Sequence, residues 1–331
     1  MNLCKRCIWI ILNLIIPMSL FAYDFEVGGY YYTVVSASDR TVKVESGPQE
    51  GEIIIPEIVS YKGHTMNVIE IDVSAFEGAD IISVTIPNSI KEIGKYSFRR
   101  CYNLKNVLGK VSANIREYAF ADCYELRSIE ITDGCSYIEG GAFDNCRRLK
   151  VINIPPSVQF IGRWAFRCQK ILDINEDAQA RKTIIIQDSS NPLIVPGDDN
   201  PLAMTTRKFD GSYYLGRQMI TPNKGKVAWG EGYEYAKKVE FGDYVNDVFG
   251  IAEAFDARYL KEVWYGKRVS SIPAFHDAEL TKIVIKNPIP PSVKGTFSNY
   301  IILNTDVYVP KESVDVYQAH PVWGQFSIHS L

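Results

Sequence analysis

The sequence predicts a mainly β solenoid built from stacked repeats, with a cap at each end. Three observations predict it. An Ala/Ser-Phe pair recurs at Ala75-Phe76, Ser97-Phe98, Ala119-Phe120, Ala142-Phe143 and Ala165-Phe166, in steps of 22, 22, 23 and 23 residues. Cys101, Cys123, Cys146 and Cys168 travel with the phenylalanine, and Leu104, Leu126, Leu149 and Ile171 follow three residues after each cysteine. Finally, isoleucine outnumbers leucine and there are 20 tyrosines, a balance that favours strands over helices.

The spacing has a simple physical reading. After each leucine come two alternating apolar positions, as in Val84/Ile86, Ile129/Ile131 and Ile152/Ile154. Four residues on stands Ile90, Cys135 or Val158, and three further Ile93, Ile138 or Ile161. One such unit holds a short strand and a return path. It cannot bury its own apolar side, so units must stack. Neighbouring strands then lie about 4.8 Å apart in a parallel sheet. Equivalent residues form ladders, Phe on Phe, Ile on Ile and Cys on Cys.

The elements follow in order. Residues 1–22 place Lys5 and Arg6 before the apolar run Ile8–Leu14 and end on Ala22, the layout of a secretory signal peptide. Its apolar run is short for a membrane span. Cleavage after Ala22 removes Cys4 and Cys7 and leaves no transmembrane span. Residues 23–66 contain strand-like runs at Tyr30–Val35, Thr41–Val44 and Glu52–Ile55 and read as an N-terminal β cap. Residues 67–175 carry the regular repeats. Residues 176–235 break the period, with a strand candidate at Thr183–Gln187 and turn signals at Asn191-Pro192 and Pro196-Gly197, and read as irregular repeats with an inserted loop. Residues 236–286 hold degenerate repeats. Ala236, Val239, Phe241, Val245 and Val248 precede Ala254-Phe255, and Leu260, Val263, Tyr265, Val269 and Ile272 precede Ala274-Phe275. Residues 287–331 form the C-terminal cap, with a strand at Asp306–Val309 and a short helix over Val314–Ala319.

Composition narrows the function classes. The 331 residues carry a formal net charge of −3, with 46% apolar and 23% charged side chains. These values describe a folded protein rather than a disordered or polytopic membrane chain. Without a long basic run, nucleic acid is not expected as the main partner.

The phrase Ile-Pro-x-Ser-Ile/Val-x-x-Ile-Gly-x-x-Ala/Ser-Phe-x-x-Cys-x-x-Leu is whole in Ile86–Leu104 and recurs over Ile154–Cys168 with one residue missing between Phe166 and Cys168. It resembles the BspA-type leucine-rich repeat, also called the Treponema type. Glu52–Pro56 through Ala75-Phe76 looks like that family's usual opening. Asn287-Pro288 through Trp323 looks like its usual close in exported Bacteroidetes members. The resemblance implies a right-handed leucine-rich-repeat solenoid of about eight repeats of 22–23 residues, three of them degenerate. It also implies an exported, often cell-surface, non-catalytic protein that binds something, with roles in adhesion among its members. No catalytic residues belong to the repeat, so none is implied.

Candidate sites stand beside plainer structural readings. The repeat cysteines fit a small buried apolar wedge, with disulfide pairing between adjacent turns and metal binding as alternatives. Of the histidines, His64, His276, His320 and His329, none sits in the clear repeats. No metalloprotease, serine-hydrolase or phosphate-loop motif is present. Asp198-Asp199 and Glu231/Glu234 lie in polar, Gly-rich stretches and read as solvated loop residues. An enzyme centred on the 176–235 insert is therefore a minor reading, and no cofactor is expected.

Between the inward positions, the stacked sheet presents an outward stripe: Ser83, Thr85, Asn106, Leu108, Ser128, Glu130, Val151, Asn153, Asp173 and Asn175. Further on come Lys238, Glu240, Glu262, Trp264, Lys282 and Val284. A repeated face of this kind suits a protein or glycan ligand touched over many turns; a solvated face is the plainer reading. Tyr102 and Tyr124, directly after their cysteines, and Tyr96, Tyr118 and Trp164, two residues before their phenylalanines, form a second candidate surface. Arg99, Arg100, Arg147, Arg148, Arg163 and Arg167 would add a basic patch there. The sequence thus points to an exported monomeric binding module at the cell surface, secreted or periplasmic. A structural component of the cell envelope is the alternative.

Overall fold

The computed structural model describes residues 23–149, 151–167, 183–187, 193–194, 212–217, 219–220, 237–246, 260–275 and 278–331. The signal-peptide segment, Cys168, Ile171, Asp173, Asn175, Asp198, Asp199, Glu231, Glu234, Ala236, Val248, Ala254, Phe255 and His276 lie outside the described residues.

The chain winds as a β solenoid of about nine turns, one more than the repeat count suggests. Its long face is a parallel ladder in two sheets. Glu50–Ile54, Asp80–Thr85, Asn106–Val111 and Ser128–Ile131 form the first. Val151–Ile154, Thr183–Ile186, Ser212–Arg217, Lys238–Tyr244, Glu262–Tyr265, Lys282–Ile285, Asp306–Val309 and Ser327–Ser330 form the second. The strand expected at Thr183–Gln187 pairs in register with Val151–Ile154 on one side and Ser212–Arg217 on the other. The segment 176–235 therefore supplies strands to the same ladder.

A second ladder runs behind the first, made of two-residue strands such as Glu92–Ile93, Asn114–Ile115, Tyr137–Ile138 and Phe160–Ile161. Its inward row joins Val44, Ile71, Ile93, Ile115, Ile138 and Ile161, all buried. The N-terminal cap is the first part of this ladder. Tyr30–Ser36 pairs antiparallel with Thr41–Ser46, which then pairs parallel with His64–Ile71. The hairpin Ile58–Tyr61/His64–Ile71 was not apparent from the repeat pattern.

The phenylalanine turns explain why the repeat is so strict. Phe76, Phe98, Phe120, Phe143 and Phe166 stack face to face, with centroids 5.2, 5.1, 5.3 and 5.1 Å apart and ring planes within 6°. All five rings are buried. Each such ring is worth about 1.5–3 kcal/mol of burial, and only an aromatic at the same height in every turn fills the column. The residues two before each ring, Ser74, Tyr96, Tyr118, Gly141 and Trp164, all adopt left-handed backbone, as do Gly78, Arg100, Asp122 and Asn145 two after. That alternation turns one set of N–H groups toward the next turn. Tyr96, Phe98 and Arg100 donate to the carbonyls of Glu117, Ala119 and Ala121, and the same triplet of bonds recurs between the other turns. Gly141 also accommodates the Tyr118 ring, because a Cβ there would stand 2.3 Å from Tyr118 Cε1.

The cysteines fill the structural role. Cys101, Cys123 and Cys146 each donate a thiol hydrogen bond, at 3.1 Å, to the phenylalanine carbonyl of the preceding turn, Phe76, Phe98 and Phe120 respectively. All four described cysteines are buried thiols that form no disulfide with one another. Burial pushes the Cys101 and Cys135 thiols up to about 12 and Cys123 well above its usual range.

The C-terminal cap closes on aromatics. Trp323 is buried, donates Nε1–H to the Pro291 carbonyl at 2.9 Å and packs against Phe297 and Phe326. Tyr317, on the helix Val314–Gln318, donates its hydroxyl to the Asn287 carbonyl at 2.8 Å. A helix at Asn299–Asn304, capped by the Ser298 side chain, is an addition to the predicted elements. No described helix is long and apolar enough to cross a membrane.

Candidate binding face

In a strand, alternate residues face alternate sides, so the long ladder puts two outward rows on each strand. In the first sheet one row reads Glu52, Ser83, Asn106, Ser128. Thr85 and Leu108 pair in the other. Ser128 and Asn106 stand 3.4 Å apart, a long hydrogen bond between small polar groups. Ser83 is a correction: at 8% exposure it is buried between the longer neighbours of its row and offers little to a partner.

Asn106–Val111 carries a bulge. Ser128 pairs with Asn106, but Glu130 pairs with Lys110. Gly109 makes the bulge possible, at φ 95° with its α-carbon so close to the Ile86 carbonyl that a Cβ would stand 2.5 Å from that oxygen. Beside it a groove of about 460 Å³ brings Ser128, Glu130 and Asn153 together with the exposed Leu108 and Val151. Asn153 is also held from the next turn by the Gln187 side chain at 2.9 Å.

Tyr102 and Tyr124 do meet, with centroids 5.0 Å apart, on the turn after each cysteine rather than on the strand face. Tyr102 is 47% exposed, and Arg147, in the same slot one turn later, lies 3.9 Å over Tyr124. The expected basic patch is largely neutralised. Arg99 pairs with Glu77, Arg148 with Glu125 and Arg167 with Asp144, each across one turn. Repeats 22–23 residues long put opposite charges at the same height in adjacent turns, which the sequence read one turn at a time does not show.

The second sheet is different in chemistry. One outward row reads Lys238, Glu262, Lys282, Asp306, Ser327. The other reads Glu240, Trp264, Val284, Tyr308, His329. The two rows interlock. Lys238 Nζ lies 4.4 Å and Lys282 Nζ 5.2 Å from the Trp264 ring centroid, with Lys286 Nζ at 5.9 Å. Lys282 also sits 4.8 Å over Tyr308, whose ring stacks on His329 at 5.1 Å. Trp264 Nε1–H donates to Glu262 at 3.2 Å, and His329 Nε2 meets Asp306 at 3.1 Å. Glu240 takes Lys286 at 3.3 Å and Lys238 at 3.8 Å.

Val284 corrects the expected stripe. It faces outward by register but is 0% exposed, because the rings of Trp264 and Tyr308 stand on either side of it. Glu262 and Trp264 were expected in the site. Tyr308, His329 and Lys286 were missed, since they lie in the cap and at a strand end. The signal was present in the steps of 24, 20 and 24 residues that lead from Glu240 to Tyr308 through Trp264 and Val284. Among the described residues, no group of three or more His, Cys, Asp or Glu side chains converges as a metal site.

The BspA type leucine rich repeat region matches residues 69–185 in six copies. Among solved structures, the chain is similar to a leucine rich repeat protein of T. pallidum, at 20% identity over 66% of this chain and 86% of that one, with a TM-score of 0.44. It is similar to a leucine-rich repeat protein from Bacteroides ovatus at 17% identity over 93% and 100%, with a TM-score of 0.33. It is also similar to a leucine rich cell surface protein from Faecalibacterium prausnitzii at 16% identity over 92% and 93%, with a TM-score of 0.35. No curated protein matches the chain.

Proposed function

We propose that this chain, whose residues 69–185 are a BspA-type leucine-rich repeat region, is an exported, non-catalytic binding module that mediates adhesion at the bacterial cell surface. The observation that carries the reading is the outward face of the second sheet. There, half-buried Trp264 and Tyr308 and the lysines around them form one continuous surface on a rigid parallel ladder. Aromatic side chains held at fixed spacing are efficient interface anchors, because little side-chain entropy remains to be lost on binding. The partner is a protein or a glycan, and the module acts as a monomer.

The test is protease shaving of intact cells, followed by glycan and matrix-protein arrays with the purified mature protein. The expected result is release by shaving and array binding that weakens at least tenfold in Trp264→Ala. Release only after the outer barrier is opened would replace adhesion with an architectural role inside the envelope. Binding untouched by Trp264→Ala would move the site to the groove beside Gly109 or to the Tyr102–Tyr124 pair.

A further inference from the structure

The row Lys238, Glu262, Lys282, Asp306 alternates in sign from strand to strand along the solenoid axis. Alternating charges in adjacent strands ordinarily neutralise one another. Here they do not. Lys282 is flanked in register by Glu262 and Asp306, yet forms an ion pair with neither. Glu262 has turned to the Trp264 indole N–H, and Asp306 to His329. The Lys282 ammonium lies instead between the Trp264 and Tyr308 rings, and among the described residues no carboxylate pairs with it. Lys238 is only loosely held, 3.8 Å from Glu240.

Three ammonium groups thus gather within 6 Å of one indole ring, at 4.4, 5.2 and 5.9 Å. Glu240 pairs with Lys286 and Lys238, Glu262 accepts from the indole edge and Asp306 flanks Lys282 in register, which leaves Lys282 as the ammonium of the three without an ion pair among the described residues. An oxyanion placed over Lys282 would complete the arrangement. The two lysines of the row, Lys238 and Lys282, are two strands apart, about 10 Å at the usual strand spacing. That is roughly the length of one disaccharide in an extended β-linked polysaccharide.

We propose that this face binds a linear acidic polysaccharide in which every second sugar carries a carboxylate, lying along the solenoid axis. The proposal rests on the binding-module reading and names its ligand class. Carboxylates sit over Lys282 and Lys238. The intervening neutral sugars place hydroxyl or amide N–H donors against Glu262 and Asp306. Trp264 and Tyr308, whose faces carry the lysines and His329, hold those ammonium groups in place toward the ligand. The two acidic residues also provide discrimination. A polymer charged on every sugar would set its extra carboxylates against Glu262 and Asp306, a like-charge penalty built into the row. An acidic peptide has no such two-strand period, so the geometry favours the glycan.

The test uses the full mature protein and four immobilised polymers: hyaluronan, with a carboxylate on every second sugar; polygalacturonate, with one on every sugar; neutral dextran; and polyglutamate. The expected order is hyaluronan well above polygalacturonate and polyglutamate, with no binding to dextran. Affinity for hyaluronan should fall as salt rises. Lys282→Met, which keeps the apolar stem between the rings, should weaken it at least tenfold, with an unchanged circular dichroism spectrum. Lys267→Met, on an exposed turn beside Asp243, should leave it unchanged. Equal binding of polygalacturonate or polyglutamate, or full binding by Lys282→Met, overturns the proposal. If hyaluronan fails while an array ligand still depends on Trp264, the ligand class falls and the binding module stands. If no array ligand depends on Trp264 either, both fall.

Discussion

The two halves of the solenoid solve the same packing problem with different degrees of repetition. Between Phe76 and Phe166 the interior is a column of identical rings, and the outer rows of the long face mix small polar residues, Thr85, Asn106 and Ser128, with exposed aliphatics, Ile54, Leu108 and Val151. Beyond Lys238 the inward row of the long face, isoleucine at Ile154 and Ile186, carries the stacked pair Phe241 and Tyr265, 5.5 Å apart. There the outer rows become aromatic and charged. The strand positions that face inward stay apolar in both halves. What changes is the tolerance of the turn and the use made of the outside. Strict repetition serves the core, while a distinctive surface needs turns that differ from one another.

The comparison predicts where stability resides. Phe120→Ala, in the middle of the column, should cost about 3–5 kcal/mol in urea unfolding. Tyr308→Ala, half exposed on the outer face, should cost about 1 kcal/mol. Equal losses would mean that the outer ladder carries as much of the fold as the inner one.

A second prediction uses the uneven distribution of thiols. Every described cysteine lies in the regular half. The rise of the Cys101 thiol from 9.0 to about 12 lowers its thiolate fraction about a thousandfold at pH 8. Native protein should therefore resist alkylation at Cys101, Cys123, Cys135 and Cys146. Labelling that begins at a higher urea concentration than the loss of C-terminal structure would show that the halves open separately. Coincident transitions would show one cooperative unit.

Gly141→Ala should destabilise by about 1–2 kcal/mol from left-handed backbone alone, and further through displacement of the Tyr118 ring. A shift in melting temperature would measure it. No change would mean that the turn relaxes freely.

The smallest effect concerns Glu70, which faces Glu92 directly in the second ladder. Burial, followed by the charge of Glu92, raises its carboxyl above the usual range, with Lys43 and Arg116 opposing. A raised acid holds its proton longer folded than unfolded, so stability falls as pH climbs from the unfolded value through the folded one. Above that window the full penalty remains. Glu70→Gln should therefore stabilise the protein at pH 7 by about 0.5 kcal/mol and have less effect near pH 4. Equal effects at both pH values would exclude the charge as the cause.

Much of the inner architecture was legible because one residue type recurs at one height. Phe98, Cys123 and Ile138 could each be placed from spacing alone, and Asp306–Val309 forms the strand expected there. The outer face was less legible. Neighbours in the rows from Lys238 onward are 20 to 24 residues apart, while Glu52 and Ser83 are 31 apart and Val151 and Thr183 are 32. Lys238, Trp264 and Lys282 were visible as outward residues, but the place of Lys286, Tyr308 and His329 beside them and the burial of Val284 depend on that register. The left-handed backbone at Tyr96, Tyr118 and Trp164 was hidden for another reason. Bulky aromatics rarely adopt it, and only Gly141 in the same slot gave a sign of it. The ion pairs that neutralise Arg99 and Arg167 likewise exist only between turns.

The backbone bonds between phenylalanine turns run one way, N–H of the earlier turn to carbonyl of the later, while the cysteine thiols bond back to the earlier turn. The column therefore has a polarity, like a row of plugs each seated in the next socket. A turn inserted or removed whole meets the same plug and the same socket that it leaves behind. Duplication or loss of a unit such as residues 98–119 changes the length of the protein without demanding a new closure at either end. The two ends themselves are not interchangeable: one must receive carbonyls and the other must receive N–H groups.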